Sequence, residues 1–206
     1  RFVIGPNAWF PFANGGLNGT VRSLAITNDV MYVGGDFSAT FDGTITGLNN
    51  IARFTSVWSG LPGGGLDSTV HAIVASSTEV FVGGSFSTTF DGTTNPNLSR
   101  IARFNTGSNA WAPLSHGGLN NIVFALALDG DKLFVGGRFT TTPDLFAQVT
   151  RVAGYNTTTN IWSGPSFGSG FGFNFIEMED DVLTLALSGN DLIIGGVFTR
   201  LANCGV

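Results

Sequence analysis

Cysteine occurs once, at Cys204, so no disulfide can close within the chain and the compartment must be read from other features. Lysine also occurs once, at Lys132. Only 11% of residues are charged, the formal net charge is −5, and the arginines are scattered without forming a basic stripe. That excludes nucleic acid as an expected partner. No apolar run approaches the roughly 18 residues a membrane-crossing helix needs, so this segment is not expected to insert into a bilayer. The two histidines, His71 and His116, stand at non-equivalent places, and no Ser-His-Asp pattern accompanies them. An enzyme, a metal and a cofactor are therefore not expected. The chain begins Arg1-Phe2-Val3 without a methionine and reads as a processed product or a window of a longer chain, so the lack of a signal peptide carries little weight.

What is abundant is glycine, 30 residues, and one phrase. Met31 to Phe37, Val80 to Phe86, Leu133 to Phe139 and Leu192 to Phe198 all read as three apolar residues, Gly-Gly, a variable residue and Phe. A short phrase recurring about every fifty residues marks a repeat architecture. Alignment on it divides the chain into units 1–52, 53–102, 103–153 and 154–206, with no other domain left over. Each unit opens with an aromatic (Phe2, Phe54, Phe104, Tyr155) and continues to a tryptophan (Trp9, Trp58, Trp111, Trp162). A Gly-rich loop, an apolar stretch such as Val123 to Leu128, the Gly-Gly phrase and a long polar loop follow. Asp129 to Lys132 reads as a four-residue turn between two strands.

Runs of four to seven β-branched and aromatic residues, bounded by Gly, Asn, Asp and Ser and lacking a helical period, read as strands. Four short strands per unit predict one antiparallel sheet each. Such sheets are apolar on both faces and need cover on both, which radial packing around an axis supplies in a β-propeller. A sandwich would leave one face solvated and alternating.

The aromatic, followed seven residues later by Trp after a Gly-Gly phrase, resembles the kelch repeat. Tyr155 to Trp162, Phe2 to Trp9 and Phe104 to Trp111 keep that spacing; Phe54 and Trp58 are only four apart, so that turn is shortened. The phrases Gly-Leu-Asn, Ala-Leu-Ala and Ile-Ala-Arg-Phe are also similar to repeats of fungal cortical polarity-marker glycoproteins and other large secreted proteins. The resemblance implies an all-β, kelch-like propeller of four-stranded blades, with the Ala-Leu-Ala and Gly-Gly strands innermost. In those terms the chain opens on an outer strand pair and closes on an inner one, so a ring completed by its own ends, by another copy or by further repeats are all open. Copper-oxidase chemistry known on kelch-like folds is not carried over, because Tyr32 and Tyr155 both occupy repeat positions.

Residues recurring in every unit are expected to be packing, the aromatics above all. The paired glycines read as a position of positive φ or of close backbone approach. Arg1, Arg53 and Arg103 precede the opening aromatic, Arg151 sits earlier in its unit, and all are expected to bind loop carbonyls or a carboxylate of a neighbouring blade. His71 reads as a satisfied core residue. Asp42-Gly43 and Asp91-Gly92 read as turns, one Asp per loop being thin for calcium.

Three sequons, Asn18-Gly19-Thr20, Asn97-Leu98-Ser99 and Asn156-Thr157-Thr158, are glycosylation candidates and favour an extracellular or cell-surface protein carrying N-linked glycans. The largest departure from the repeat lies between Trp162 and Val182, where 20 residues replace the 12 of the other units. It holds Phe167, Phe171, Phe173 and Phe175, candidate interaction residues, and the acidic group Glu177, Glu179, Asp180 and Asp181, expected to be solvated. The loops after the Gly-Gly strand and after the Trp strand should emerge on one face and form the interaction face for a protein or glycan partner. Together these features predict a non-enzymatic structural or adhesion module able to form a homo-oligomer or filament, or alternatively the ligand-binding ectodomain scaffold of a polarity-marker-like glycoprotein.

Overall fold

The computed structural model describes residues 1–93, 97–147, 149–163, 177–178, 180–197 and 201–202. The protein is all-β. Three four-stranded antiparallel sheets follow one another along the chain. The first contains β3 (Thr20–Thr27), β4 (Val30–Asp36), β5 (Ile51–Phe54) and β6 (Trp58–Gly60). The second contains β7 (Val70–Ala75), β8 (Glu79–Gly84), β9 (Ile101–Asn105) and β10 (Ala110–Pro113), and the third β11 (Val123–Asp129), β12 (Lys132–Gly137), β13 (Val152–Asn156) and β14 (Ile161–Ser163). Within each sheet the strands pair in chain order. Two-stranded sheets flank them: β1 (Phe2–Val3) with β2 (Ala8–Trp9) at the start, and β16 (Val182–Ser188) with β17 (Asp191–Gly196) near the end. A short pair, β15 (Glu177–Met178) with β18 (Leu201–Ala202), completes the set.

Three expectations need correction. Each sheet straddles two sequence units instead of filling one, because the Gly-Gly strand pairs with the aromatic strand that opens the next unit: Tyr32 faces Arg53 and Met31 faces Phe54 in register. Among the described residues the expected fourth four-stranded blade is represented by the pair β16–β17. The connection at Asp129 to Lys132 is two residues, since Asp129 pairs with Lys132 and both strands run into the turn.

Consecutive sheets pack by their first two strands, β7 against β3 and β4, β11 against β7 and β8, β16 against β11 and β12. This contact explains the Gly-Gly phrase. A Cβ at Gly34 would come 2.3 Å from Val70 Cγ1, one at Gly83 2.4 Å from Val123 Cγ1, and one at Gly136 2.6 Å from Val182 Cγ1. The second glycine is required for a different reason: a Cβ at Gly35, Gly84 or Gly137 would strike the carbonyl oxygen of Thr20, Thr69 or Ile122 across the hairpin. None of the six has positive φ, so close approach is the operative requirement.

From the second unit on, the recurring aromatics pack as their periodicity implies, whereas Trp9 of the first unit is 79% exposed. Tyr32 of the first sheet lies in one cluster with Val70, Ile73, Val80, Phe104 and Trp111 of the second. Phe81 of the second joins Leu126, Leu133, Tyr155 and Trp162 of the third. Each buried tryptophan also holds its sheet's last strand to the single 3-10 turn that precedes the first strand. Trp58 Nε1 donates to Ala13 O at 3.0 Å, Trp111 to Pro62 O at 3.1 Å and Trp162 to Ser115 O at 3.0 Å.

Candidate functional site

The two kinds of long loop do emerge at one end of the sheets and are bonded to each other. Phe41 N donates to Gly16 O and Phe90 N to Gly65 O, while Asp42 N reaches Asn14 O and Asp91 N reaches Gly63 O. Two side-chain clasps recur in this layer. Oδ1 of Asn18, Asp67 and Asn120 each accepts two backbone N–H groups, those of residues 38 and 39, 87 and 88, and 140 and 141. One residue further along the loop, Asp42, Asp91 and Asp144 accept from the hydroxyls of Thr40, Thr89 and Thr142 at 2.7–2.8 Å. The turn reading of Asp42 and Asp91 therefore holds. Among the described residues no group of His, Cys, Asp and Glu is arranged to hold a metal ion.

On this scaffold Phe41, Phe90, Leu145 and Phe146 stand exposed. His116 stacks on Phe146 at 3.9 Å and pairs with Asp144 at 2.7 Å. Of the glycosylation candidates, Asn18 and Asn97 are exposed and Asn156 is half-buried. Asn18 Nδ2 also donates to Ser38 Oγ at 3.2 Å, and Asn156 Nδ2 to Asp131 Oδ2 at 2.7 Å, so two of the three amides take part in loop structure. Phe167, Phe171, Phe173 and Phe175 lie outside the described residues, as does Glu179.

The arginines divide into two sets. Arg53 and Arg103 reach into the next sheet, each donating Nη1 to the side-chain carbonyl of a left-handed asparagine, Asn109 at 2.9 Å and Asn160 at 3.1 Å. Arg151 belongs with Arg100: both have positive φ and both donate Nη1 to a backbone carbonyl, of Arg138 and Ser85 respectively.

Where the long loops leave the first two strands, a polar row crosses the first three sheets. Every first hairpin carries a β-bulge, between Val21 and Ser23, Val70 and Ala72, Val123 and Ala125, and Val182 and Thr184. The bulged residues are Arg22, His71, Phe124 and Leu183, and a bulge re-aims its side chain away from the ladder. Beside them stand the variable residues of the Gly-Gly-x-Phe phrase: Asp36, Ser85, Arg138 and Val197.

In the first sheet Arg22 donates Nε and Nη2 to Asp36 at 2.9 and 2.6 Å, and Thr69 of the second sheet donates its hydroxyl to the same carboxylate. In the second, His71 Nε2 and Ser85 Oγ share a hydrogen bond of 3.1 Å, and the imidazole meets the Phe124 ring of the third at 5.4 Å. Arg138 lies 5.9 Å over Phe124 and donates Nε to Asp181 at 2.9 Å.

The row also gathers shifted titrations, a feature of functional sites. The Thr69 hydroxyl, with Arg22, holds the Asp36 carboxyl below the usual range. The Arg138 guanidinium does the same for Asp181 and is itself pushed up. Burial, with Arg22 beside it, holds His71 below the usual histidine value, so the ring is neutral at pH 7.

One expectation fails here. Asp181 is not a solvated loop acid but is buried and ion-paired with Arg138. His71, Asp36 and Asp181, scattered in sequence, lie along one rim. Part of the signal was present in the one position of the repeated phrase that varies in polarity, which carries Asp, Ser, Arg and Val between a uniform Gly and a uniform Phe.

No family model matches the chain, and no curated protein does. Solved structures resemble it in fold alone. The computationally designed protein Ika4 is 15% identical with a TM-score of 0.55, over 96% of this chain and 99% of Ika4. The designed protein Ika8 is 15% identical with a TM-score of 0.53, over 86% of this chain and 43% of Ika8. The extracellular domain of BT4673 from B. thetaiotaomicron has a TM-score of 0.49 at 16% identity, over 85% of this chain and 19% of its own length.

Proposed function

We propose that the chain is a kelch-like β-propeller segment of an extracellular protein, a non-enzymatic structural or adhesion module that joins head to tail with a second copy of itself. One observation carries this reading. The same sheet-to-sheet contact is made three times within the chain, and the two surfaces that make it are displayed again at the two ends of the series. Val70, Val123 and Val182 are fully buried, whereas the equivalent Val21 is 46% exposed. Leu24 and Ile26 stand exposed beside it, over an apolar groove of about 160 Å³ whose lining includes Phe12, Leu17, Met31, Val33 and Trp58. At the other end Tyr32, Phe81 and Phe134 are buried under the following sheet, but the equivalent Ile193 is 55% exposed, next to Gly195. A second copy's Gly195 and Ile193 would receive Val21 and Leu24 as Gly34 and Tyr32 receive Val70 and Ile73. Two exposed apolar faces, each equivalent to a surface buried between the sheets within the chain, favour association.

Light scattering on the purified chain tests the reading. A concentration-dependent dimer or longer series is expected, returned to monomer by Leu24→Asp or Ile193→Asp. A wild-type chain that stays monomeric at about 100 μM would sink it. Glycan mass at Asn18, Asn97 and Asn156 after secretion from a eukaryotic host tests the compartment, and a bare polypeptide mass counts against the extracellular assignment.

A catalytic reading has one observation in its favour, the His71–Ser85 contact. Against it, Asp36 is turned to Arg22 and Thr69 and makes no hydrogen bond that would orient the imidazole. A fluorophosphonate probe that labelled Ser85 would revive it.

A further inference from the structure

The polar row is not needed for the assembly just described, and the repeat does not require it, since the fourth sheet replaces its members with Leu183 and Val197. We propose that the row is a binding site for an acidic saccharide, with the carboxylate held by Arg22 or Arg138 and the sugar ring lying along His71, Ser85 and Phe124.

Charge comes first. Arg22 and Arg138, with Arg100 and Arg151 bonded to the backbone of the same rim, place four of the chain's nine cationic residues at one end of the sheets. They face the carboxylates of Asp36, Asp180 and Asp181. Four guanidinium groups against three carboxylates leave this rim with about one net positive charge in a chain whose net charge is −5, which favours an anion over a cation.

Geometry comes second. Arg22 commits Nε and Nη2 to Asp36, and Arg138 commits the same two nitrogens to Asp181. Among the described residues the Nη1 edge of each guanidinium has no hydrogen-bond partner, and the side chains keep 42% and 51% of their exposure. A guanidinium oriented by one carboxylate and open on another edge is arranged to take a second carboxylate.

What lies between the two arginines selects for a sugar over a simple anion. The Ser85 and Thr69 hydroxyls and the neutral His71 imidazole can exchange hydrogen bonds with sugar hydroxyls, and the Phe124 ring offers an apolar surface to a pyranose face. The bulges place these side chains side by side on adjacent sheets.

The experiment uses D-glucuronate as the probe, D-glucose as its uncharged counterpart and sodium sulfate as a bare anion. The two histidines give separate imidazole signals in proton NMR, so His71 reports on the row and His116 serves as the internal reference. Glucuronate is expected to shift His71 saturably while leaving His116 unmoved. The affinity should fall at least tenfold in Arg22→Gln/Arg138→Gln and stay unchanged in Arg53→Gln, which removes a guanidinium bonded elsewhere. Glucose should not bind measurably, and sulfate should bind at least tenfold more weakly. Equal binding of glucuronate and sulfate would overturn the saccharide assignment, and equal binding by the double variant would overturn the role of the arginines. A His71 signal unmoved by glucuronate would overturn the site. None of these results depends on whether the chain associates, because Leu24→Asp can be titrated as a monomer in parallel.

Discussion

Gly34 and Val70 stand so close across the first sheet boundary that a Cβ on the glycine would lie 2.3 Å from Val70 Cγ1. The contact recurs at Gly83 with Val123 and at Gly136 with Val182. It makes the spacing between sheets a property of one missing methyl group, and it explains why the phrase tolerates no side chain there.

Adding that methyl should therefore separate two sheets. Gly83→Ala is expected to cost about 1–3 kcal/mol, the usual range for overpacking a close contact. Gly107→Ala, at a site where an added Cβ meets only Asn105 Oδ1 at 3.5 Å, should change stability by less than about 0.5 kcal/mol. Urea denaturation of both variants checks the difference, and equal costs would count against the contact.

Trp111 combines buried area with a hydrogen bond to Pro62 O spanning the whole sheet. Trp111→Ala should cost about 3–5 kcal/mol. Trp111→Phe keeps most of the area and loses the donor, so it should cost less than Trp111→Ala and still exceed about 1 kcal/mol, because the indole partner is left unpaired and some volume is lost. Thermal melts of the two variants separate the contributions.

Asp67 stands where the other units carry Asn18 and Asn120, and in all three it is the Oδ1 acceptor that is used. Asp67→Asn should thus be close to neutral, whereas Asp67→Ala should cost about 1–3 kcal/mol by stranding two backbone N–H groups. Equal melting temperatures for Asp67→Ala and wild type would show that water replaces the clasp.

Asp144 is held at a pKa of about 2 by the Thr142 hydroxyl, the Phe146 N–H and His116. Its pKa is lowered on folding, so its contribution is complete above the unfolded value near 3.9 and is lost as pH falls toward about 2. The melting temperature of the wild type should drop through that window, and Asp144→Asn should flatten part of the drop. Superimposable acid limbs for the two proteins would argue against the assignment.

Strand identity, the fifty-residue period and the opening on one strand pair and closing on another were legible from residue order, because hairpins are local and each phrase carries its own turns. The packing role of Trp111 and Tyr155 was legible for the same reason, since a residue that recurs in every unit answers to a requirement shared by every unit. The row was not. Arg22, Asp36, Thr69, His71, Ser85, Arg138 and Asp181 are separated by up to 159 positions, and only Asp36, Ser85 and Arg138 share a position in the phrase. They meet only because successive hairpins stack in register and each carries a bulge at the same level.

The Gly-Gly phrase divides along the same line. Sequence alone determined that these positions exclude a side chain, since glycine is uniform there in four copies. Only the tertiary structure decided that one glycine answers to a valine of the next sheet and the other to a carbonyl of its own hairpin. The first contact forms between sheets and leaves no trace in local order, whereas the second is set by strand pairing within one hairpin.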